Sequence, residues 1–117
     1  MVSGAGIYKI PCKDCNLVYI GETGRNIDTR IREHKYAVNR GDENNALYRH
    51  VWNKDHRVDW KNSHLLYKCN DFIKRRVIES MCIEKYDNFN LSEGAFKLDP
   101  IMRSLVVKSL PAPIPPP

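Results

Sequence analysis

Two short runs near the amino terminus alternate their side chains with the period of a β-strand. Residues 6–10 read Gly-Ile-Tyr-Lys-Ile and residues 17–21 read Leu-Val-Tyr-Ile-Gly. Both are rich in the β-branched and aromatic residues typical of a half-buried pleated surface. A short loop with two cysteines joins them. The pattern predicts a hairpin with one face packed on the core, while the other face presents the phenols of Tyr8 and Tyr19.

Three later segments repeat their apolar residues at the spacing of an α-helix. The predicted helices span about residues 26–39, 45–53 and 71–86. Asn26 and Asp71 stand at the starts of the first and third helices, and both are residue types that cap helices. The short apolar run Leu65-Leu66-Tyr67 predicts a third strand. We therefore expect an α/β (α+β) fold, with a small three-stranded antiparallel sheet flanked by helices.

The third predicted helix is apolar on several sides, which is typical of a helix that is buried all round. Glu79 lies on one of its apolar lines, where a carboxylate is costly unless it is paired, protonated or bound to a metal. A salt bridge to Arg75 or Arg76 and a divalent cation both fit this position. The run Lys74-Arg75-Arg76 is expected on a solvated face of the same helix.

The length of 117 residues favours one domain, and the net charge of +5 permits binding to a polyanion without requiring it. No apolar run approaches the length of a membrane span, and the amino terminus lacks a signal-peptide pattern. We therefore expect an intracellular protein with no membrane partner and with reduced cysteines. Cys69 and Cys82 lie among apolar residues and are expected to be core thiols.

The carboxyl terminus changes composition sharply. Residues 109–117 hold five prolines and are expected to be extended. We divide the chain into a domain over residues 1–108 and a disordered tail over residues 109–117, with a ligand for a proline-reading domain as the alternative role of the tail. Residues 101–107 fit either a short helix or a strand.

Positive charge gathers on the first predicted helix. Arg30 and His34 are four residues apart, so a helix places them on one face. That face is either an ordinary solvated surface or a phosphate clamp, because a guanidinium fits phosphate oxygens bidentately. Arg25, Arg32 and Lys35 add positive charge around it and are candidates for binding DNA.

Two cysteines and two histidines form a candidate zinc site. Cys12 and Cys15 supply two thiolates on a tight loop, and His50 and His56 follow near the end of the second predicted helix. This ligand set suits a tetrahedral structural zinc that would join the hairpin loop to that helix. The alternative is a reduced cysteine pair with two surface histidines, and His64 is a weaker candidate in place of either histidine.

The hairpin sequence resembles that of a known nuclease family. Gly6-Ile7-Tyr8 and Tyr19-Ile20-Gly21 match the signature of the GIY-YIG nucleases, and the continuation Glu22-Thr23-Gly24-Arg25 fits that family too. The Cys-x-x-Cys between the tripeptides is similar to the nuclease domain of Penelope-like retroelements. The resemblance covers roughly residues 6–94.

The resemblance implies roles for six residues. Tyr8 and Tyr19 would flank the scissile phosphate, with Tyr8 as general base, although both also fit plain strand tyrosines at a hairpin edge. A phenol needs a nearby cation, a metal ion or Arg30, to lower its pKa for that task. Arg30 would clamp the phosphate and His34 would help proton transfer or phosphate binding. Glu79 would hold Mg²⁺ or Mn²⁺, and Asn90 would support the site through hydrogen bonds.

The resemblance also implies a function: metal-dependent hydrolysis of a DNA phosphodiester, leaving a 5′ phosphate and a 3′ hydroxyl. In a Penelope-like element, such a nick would prime reverse transcription, with a reverse transcriptase domain of the same element as partner and the nucleus as location. Family members often have a further histidine before the second helix, where this chain reads Glu43-Asn44-Asn45. Two alternatives are a zinc-stapled DNA-binding module without cutting activity and an interaction domain that works through its proline tail. The sequence leaves the oligomeric state open.

Overall fold

The molecule is built around a central strand. The structure is a computed structural model that describes residues 4–91, 100, 101, 104, 108 and 110–117. In the sheet, β1 (Gly6–Pro11) lies between β2 (Val18–Thr23) and β3 (His64–Lys68), and both pairings are antiparallel. The helices are α1 (Ile27–Arg40), α2 (Ala46–Lys54) and α3 (Phe72–Lys85). The predicted α+β class, with a three-stranded antiparallel sheet and flanking helices, is confirmed.

Because side chains alternate along β1, the central strand contributes to two cores, one on each face of the sheet. Ile7 is fully buried in a core completed by α3, while Tyr8 and Ile10 are buried in a core completed by α1 and α2. The first core contains Ile7, Val18, Ile20, Leu66, Tyr67, Ile78, Cys82 and Ile83. The second contains Tyr8, Ile10, Ile27, Leu47 and Leu65. The expectation of one packed face and one open face with presented phenols is wrong, because helices cover both faces.

Side-chain caps fix where the helices begin. The Asn26 side chain accepts a hydrogen bond from the backbone N–H of Asp28 at 2.8 Å, and Asp71 accepts one from Lys74 at 2.8 Å. Both predicted caps are confirmed. Helix α1 ends at Gly41, whose φ of 77° lies in the left-handed region that glycine favours.

The amino-terminal part of α3 differs from its predicted surroundings. Phe72 and Ile73 are 54% and 58% exposed, so the helix is not buried all round. Arg75, expected on a solvated face, is instead buried, and its Nε donates to a carboxylate oxygen of Glu22 at 2.9 Å. The guanidinium also donates to the carbonyl of Asn70. The start of α3 therefore packs against the end of β2 through a buried ion pair.

The cysteines are all free thiols. Cys82 is buried in the first core and Cys69 packs against that core, as expected for core thiols. Within the described ranges, every helix is too short or too polar to cross a bilayer.

The proline-rich tail contacts the body of the protein. Leu110 packs on the first core and Ile114 on the second, and the Ile114 N–H donates to the Leu66 carbonyl at 2.9 Å. The apolar side chains between the prolines supply the packing surface for these contacts. The expectation of a disordered tail over residues 109–117 stays a prediction. The boundary between residues 108 and 109 stays a prediction. Most of the 101–107 segment lies outside the described residues, as does the Gly94 end of the resemblance.

The docked tail makes a testable difference to stability. We expect Ile114→Ala to lower the free energy of unfolding by about 1 kcal/mol, because the side chain is only half-buried where it packs on the second core. Denaturant unfolding measures the effect, and Pro116→Ala, at an exposed position, is the control. Equal stability of both variants and the parent chain would show that the tail does not dock.

Candidate active site

The phenol of Tyr8 lies in the interior of the protein. Its position on β1 directs it under α1, where the side chain is only 1% exposed and its Oη lies 2.8 Å from Nε2 of His34. Gly21 stands opposite Tyr8 in the strand register, and a Cβ at Gly21 would collide with the phenol. The glycine of the second tripeptide therefore makes the space that the tyrosine of the first tripeptide occupies.

Three aromatic rings converge at this point. The ring centroids of Tyr8 and Tyr19 are 6.3 Å apart, and that of His34 lies 5.8 Å from Tyr8 and 5.2 Å from Tyr19. The strand register and the helix spacing thus bring together three of the predicted site residues. Tyr19 is the more open of the two tyrosines and lines a small cleft of about 170 Å³ with Arg30, His34 and Asn90.

Arg30 supplies the positive charge of the cleft. It lies one helical turn before His34 on α1, and its Nη1 donates to Glu33 at 3.2 Å. Burial and the neighbouring Tyr19 raise the pKa of Tyr8, and the charge and hydrogen bonding of Arg30 only partly oppose this. The expectation that Arg30 could lower the pKa of Tyr8 below its usual value is therefore not met by Arg30 alone.

His34 is a neutral imidazole at physiological pH. It is 2% exposed, and burial followed by the charge of Arg30 lowers its pKa to about 4. A protonated His34 beside Arg30 would be an uncompensated buried charge. The ring therefore acts in this site through hydrogen bonds rather than through a positive charge.

Glu79 is a half-buried carboxyl on α3. Burial is the largest cause that raises the pKa values of Tyr8 and Tyr19, and the negative charge of Glu79 raises both further. Burial and the charge of Glu22 raise the pKa of Glu79 to about 7, with Arg76 opposing weakly.

The sequence allowed a salt bridge from Glu79 to Arg75 or Arg76. Among the described residues, Glu79 has neither ion pair, because Arg75 is bonded to Glu22 instead. A desolvated carboxyl without a cationic partner is a suitable ligand for Mg²⁺, which proteins commonly hold through one or two carboxylates.

Asn90 acts on the backbone of β2. Its Oδ1 accepts from the Ile20 N–H at 3.0 Å and its Nδ2 donates to the Ile20 carbonyl at 2.7 Å. The chain after α3 runs beside β2, where Val18 pairs with Asn88, and these two bonds continue that contact at Ile20, two residues further along β2. Asn90 thereby fixes the strand segment next to Tyr19, and its supporting role in the site stays a prediction.

The three candidate DNA-binding residues differ in their surroundings. Arg25 donates twice to Glu33, at 2.7 and 3.0 Å, and Lys35 lies over the ring of Trp60. Arg32 donates to the hydroxyl of Thr29 at 3.4 Å. Contact of these three side chains with DNA stays a prediction.

Cys12, Cys15, His50 and His56 form a candidate metal centre. The ligand atoms of all four lie within 4.8 Å of one another. Cys12 Sγ is 3.3 Å from His50 Nε2 and 3.5 Å from His56 Nδ1, and the two ring nitrogens are 3.3 Å apart. Cys15 Sγ lies 3.5 Å from His50 Nε2.

These distances fit a tetrahedral zinc ion. With zinc bonds of about 2.3 Å to sulfur and about 2.0 Å to nitrogen, the edges of the tetrahedron are about 3.3–3.8 Å. The cluster links the hairpin loop to α2 and to the segment just after it. His64 is not a member, since its Nδ1 donates to the Asn62 carbonyl at 2.9 Å instead.

Two contacts near the site were not predicted from the sequence. The first is the Glu22–Arg75 pair, which joins residues 53 positions apart and has no local signature. The second is Asn45, which caps α2 and also lies 3.2 Å from the His34 ring. An asparagine just before a helix is a recognisable cap, but its contact with a distant histidine depends on how the two helices pack.

The central antiparallel strand holds a buried tyrosine, and helix α1 holds arginine and histidine one turn apart. With a carboxyl on α3, these residues belong to a small α+β domain. The model of the GIY-YIG catalytic domain matches residues 4–92, so the chain belongs to the GIY-YIG family. The fold of this chain agrees with that family. Comparison with curated proteins and with solved structures gave no match.

The metal centre gives the first prediction for this site. We expect the purified protein to contain zinc in a one-to-one ratio, and Cys15→Ser to lose it, because one thiolate of the tetrahedron is removed. Elemental analysis measures the content, with Cys69→Ser as the control at a cysteine outside the cluster. Equal zinc content in both variants would contradict the assignment.

Proposed function

We propose that this protein is a metal-dependent DNA endonuclease. The observation that supports it most is the cluster of Tyr8, His34 and Arg30, whose tyrosine is coupled electrostatically to the half-buried Glu79 carboxyl. The family supports this function because GIY-YIG catalytic domains are those of nucleases acting on DNA.

The reaction needs a base, a phosphate clamp and a group that steadies the leaving oxygen. The phenol proton of Tyr8 first passes to solvent. A water oxygen then attacks the phosphorus, its proton passes to the ionised Oη of Tyr8, and the bond from phosphorus to the 3′ oxygen breaks, with that oxygen taking a proton from solvent. The products are a 5′ phosphate and a 3′ hydroxyl. Arg30 binds the phosphate oxygens as negative charge develops on them, which is where a fixed guanidinium stabilises the transition state most.

Two metals have separate tasks in this proposal. Glu79 would hold Mg²⁺ or Mn²⁺, and that ion would supply Lewis acidity at the phosphate and charge stabilisation for the 3′ oxygen. Zinc at the four-residue cluster would be structural, because four protein ligands leave no open position for chemistry.

We further propose that the nick serves a retroelement. The support is the Cys-x-x-Cys between the signature tripeptides, which is similar to the nuclease domains of Penelope-like elements. The 3′ hydroxyl would then prime a reverse transcriptase domain of the same element, in the nucleus. Arg25, Arg32 and Lys35 would bind the DNA backbone, so affinity should fall with salt.

A zinc-stapled DNA-binding module without cutting activity is the second candidate. The observation that favours it is the deep burial of Tyr8, which raises the pKa of the proposed base. An interaction domain working through its tail is less well supported, because Leu110 and Ile114 are already packed on the body.

Substitution of Glu79, the proposed Mg²⁺ ligand, tests the proposed nuclease function. We expect the protein to nick supercoiled plasmid in Mg²⁺, and Glu79→Gln to reduce the rate roughly a hundredfold or more, because the ligand charge is removed. The control is Glu84→Gln, the same change at an exposed position of the same helix. If neither the parent protein nor this control nicks in Mg²⁺ or Mn²⁺, the binding-module function replaces the nuclease function.

The nicking rate should also depend on pH. The pKa of Glu79 is raised to about 7, so the carboxyl is mostly protonated below that pH and ionised above it. A cation binds the ionised form, and we therefore expect the rate at low Mg²⁺ to rise more steeply with pH below pH 7 than above it, where only ionisation of the Tyr8 phenol still increases the rate. Higher Mg²⁺ should shift this change of slope to lower pH. A rate independent of pH between about 5.5 and 8 would contradict this role.

A further inference from the structure

Asn45 has two neighbours that together fix the orientation of its amide. Its Oδ1 accepts from the backbone N–H groups of Leu47 at 3.0 Å and Tyr48 at 3.2 Å, as a helix cap does. The reversed amide would direct two N–H donors at these two N–H groups. The amide NH₂ must therefore point the other way, where it lies 3.2 Å from Nδ1 of His34.

This orientation determines which ring nitrogen of His34 holds the proton. An amide NH₂ can only donate, so Nδ1 of His34 must accept with a lone pair. The ring is neutral because it is buried beside Arg30, and a neutral imidazole with an unprotonated Nδ1 has its proton on Nε2. Nε2 lies 2.8 Å from Oη of Tyr8. His34 is therefore a hydrogen-bond donor to the tyrosine.

We propose that Asn45 is a positioning residue for the nuclease reaction, because it fixes His34 as a hydrogen-bond donor to Tyr8. The chain of contacts runs from the α2 cap through the imidazole to the phenol oxygen. A donor at this oxygen stabilises the ionised phenol that takes the proton of the attacking water. The opposite tautomer would accept the phenol proton and stabilise the neutral form instead. The catalytic consequence rests on the proposed function, whereas the tautomer assignment does not.

Two substitutions of Asn45 separate its role as helix cap from its role as hydrogen-bond donor to His34. Asn45→Asp keeps a capping oxygen but presents an acceptor to His34, so Nδ1 must take the proton. Asn45→Ser also keeps a capping oxygen, but its side chain is too short to hold the ring, so neither tautomer is enforced. Asn26→Asp is the matched control, since the Asn26 side chain caps α1 through the Asp28 N–H, and the hydrogen bond that Asn26 receives from the Arg30 N–H is made by its backbone carbonyl, which the substitution keeps.

Nitrogen-15 NMR of the histidine side chains reads the tautomer directly, with His34→Gln to assign the His34 signals among the four histidines. We expect the proton on Nε2 in the parent protein and in Asn26→Asp, and on Nδ1 in Asn45→Asp. In single-turnover nicking at saturating protein, Asn45→Asp should be about ten- to a hundredfold slower, the range expected for losing one hydrogen bond to a charged group, and Asn45→Ser should be slowed less, because part of its His34 still has the proton on Nε2. Thermal unfolding should show all variants folded.

The outcomes distinguish the tautomer assignment of His34 from the positioning role of Asn45 in the reaction. A proton on Nδ1 of His34 in the parent protein overturns the hydrogen-bond assignment, even if the protein is an active nuclease. Asn45 variants that nick as fast as Asn26→Asp overturn the positioning role. A parent protein with the Nε2 proton but without nicking in Mg²⁺ or Mn²⁺ overturns the proposed function and the catalytic consequence with it, while the tautomer assignment stands.

Discussion

The rest of the structure depends on the burial of one phenol oxygen. Tyr8 lies on the central strand with its Oη away from solvent, and a buried hydroxyl without a partner would destabilise the fold. His34 supplies that partner, which requires α1 to cross the sheet at this point and Gly21 to leave space on the neighbouring strand. The two signature tripeptides and the first helix are thus parts of a single packing arrangement. The same arrangement leaves Arg30 beside the phenol.

Helix α2 joins this arrangement to the metal centre. Its cap, Asn45, contacts His34, while His50 lies within the helix and His56 just beyond its end. The cysteines of the hairpin loop complete the cluster. A zinc ion held there would fix α2 relative to β1 and β2, and thereby the cap against the imidazole. The candidate metal centre and the candidate active site are therefore connected through one nine-residue helix.

The sequence predicted what local periodicity controls. The hairpin, the three helices and the caps Asn26 and Asp71 follow from alternation, helical spacing and capping chemistry. The four metal-ligating residues were recognisable because their chemistry restricts them. The burial of Arg75, the exposure of Phe72 and the docking of the tail depend on which surfaces meet in three dimensions. The pKa of Tyr8 also depends on these three-dimensional contacts, because burial raises it by more than the nearby Arg30 lowers it.

The central claim is that the Tyr8 oxygen takes part in the reaction. The most direct test is single-turnover nicking of plasmid DNA by Tyr8→Phe, which keeps the ring and removes only the oxygen. Tyr19→Phe is measured alongside it. DNA affinity and zinc content are checked for both variants. We expect Tyr8→Phe to bind DNA and zinc like the parent protein but to have no detectable nicking, and Tyr19→Phe to retain partial activity. Nicking by Tyr8→Phe at the parent rate would contradict the account.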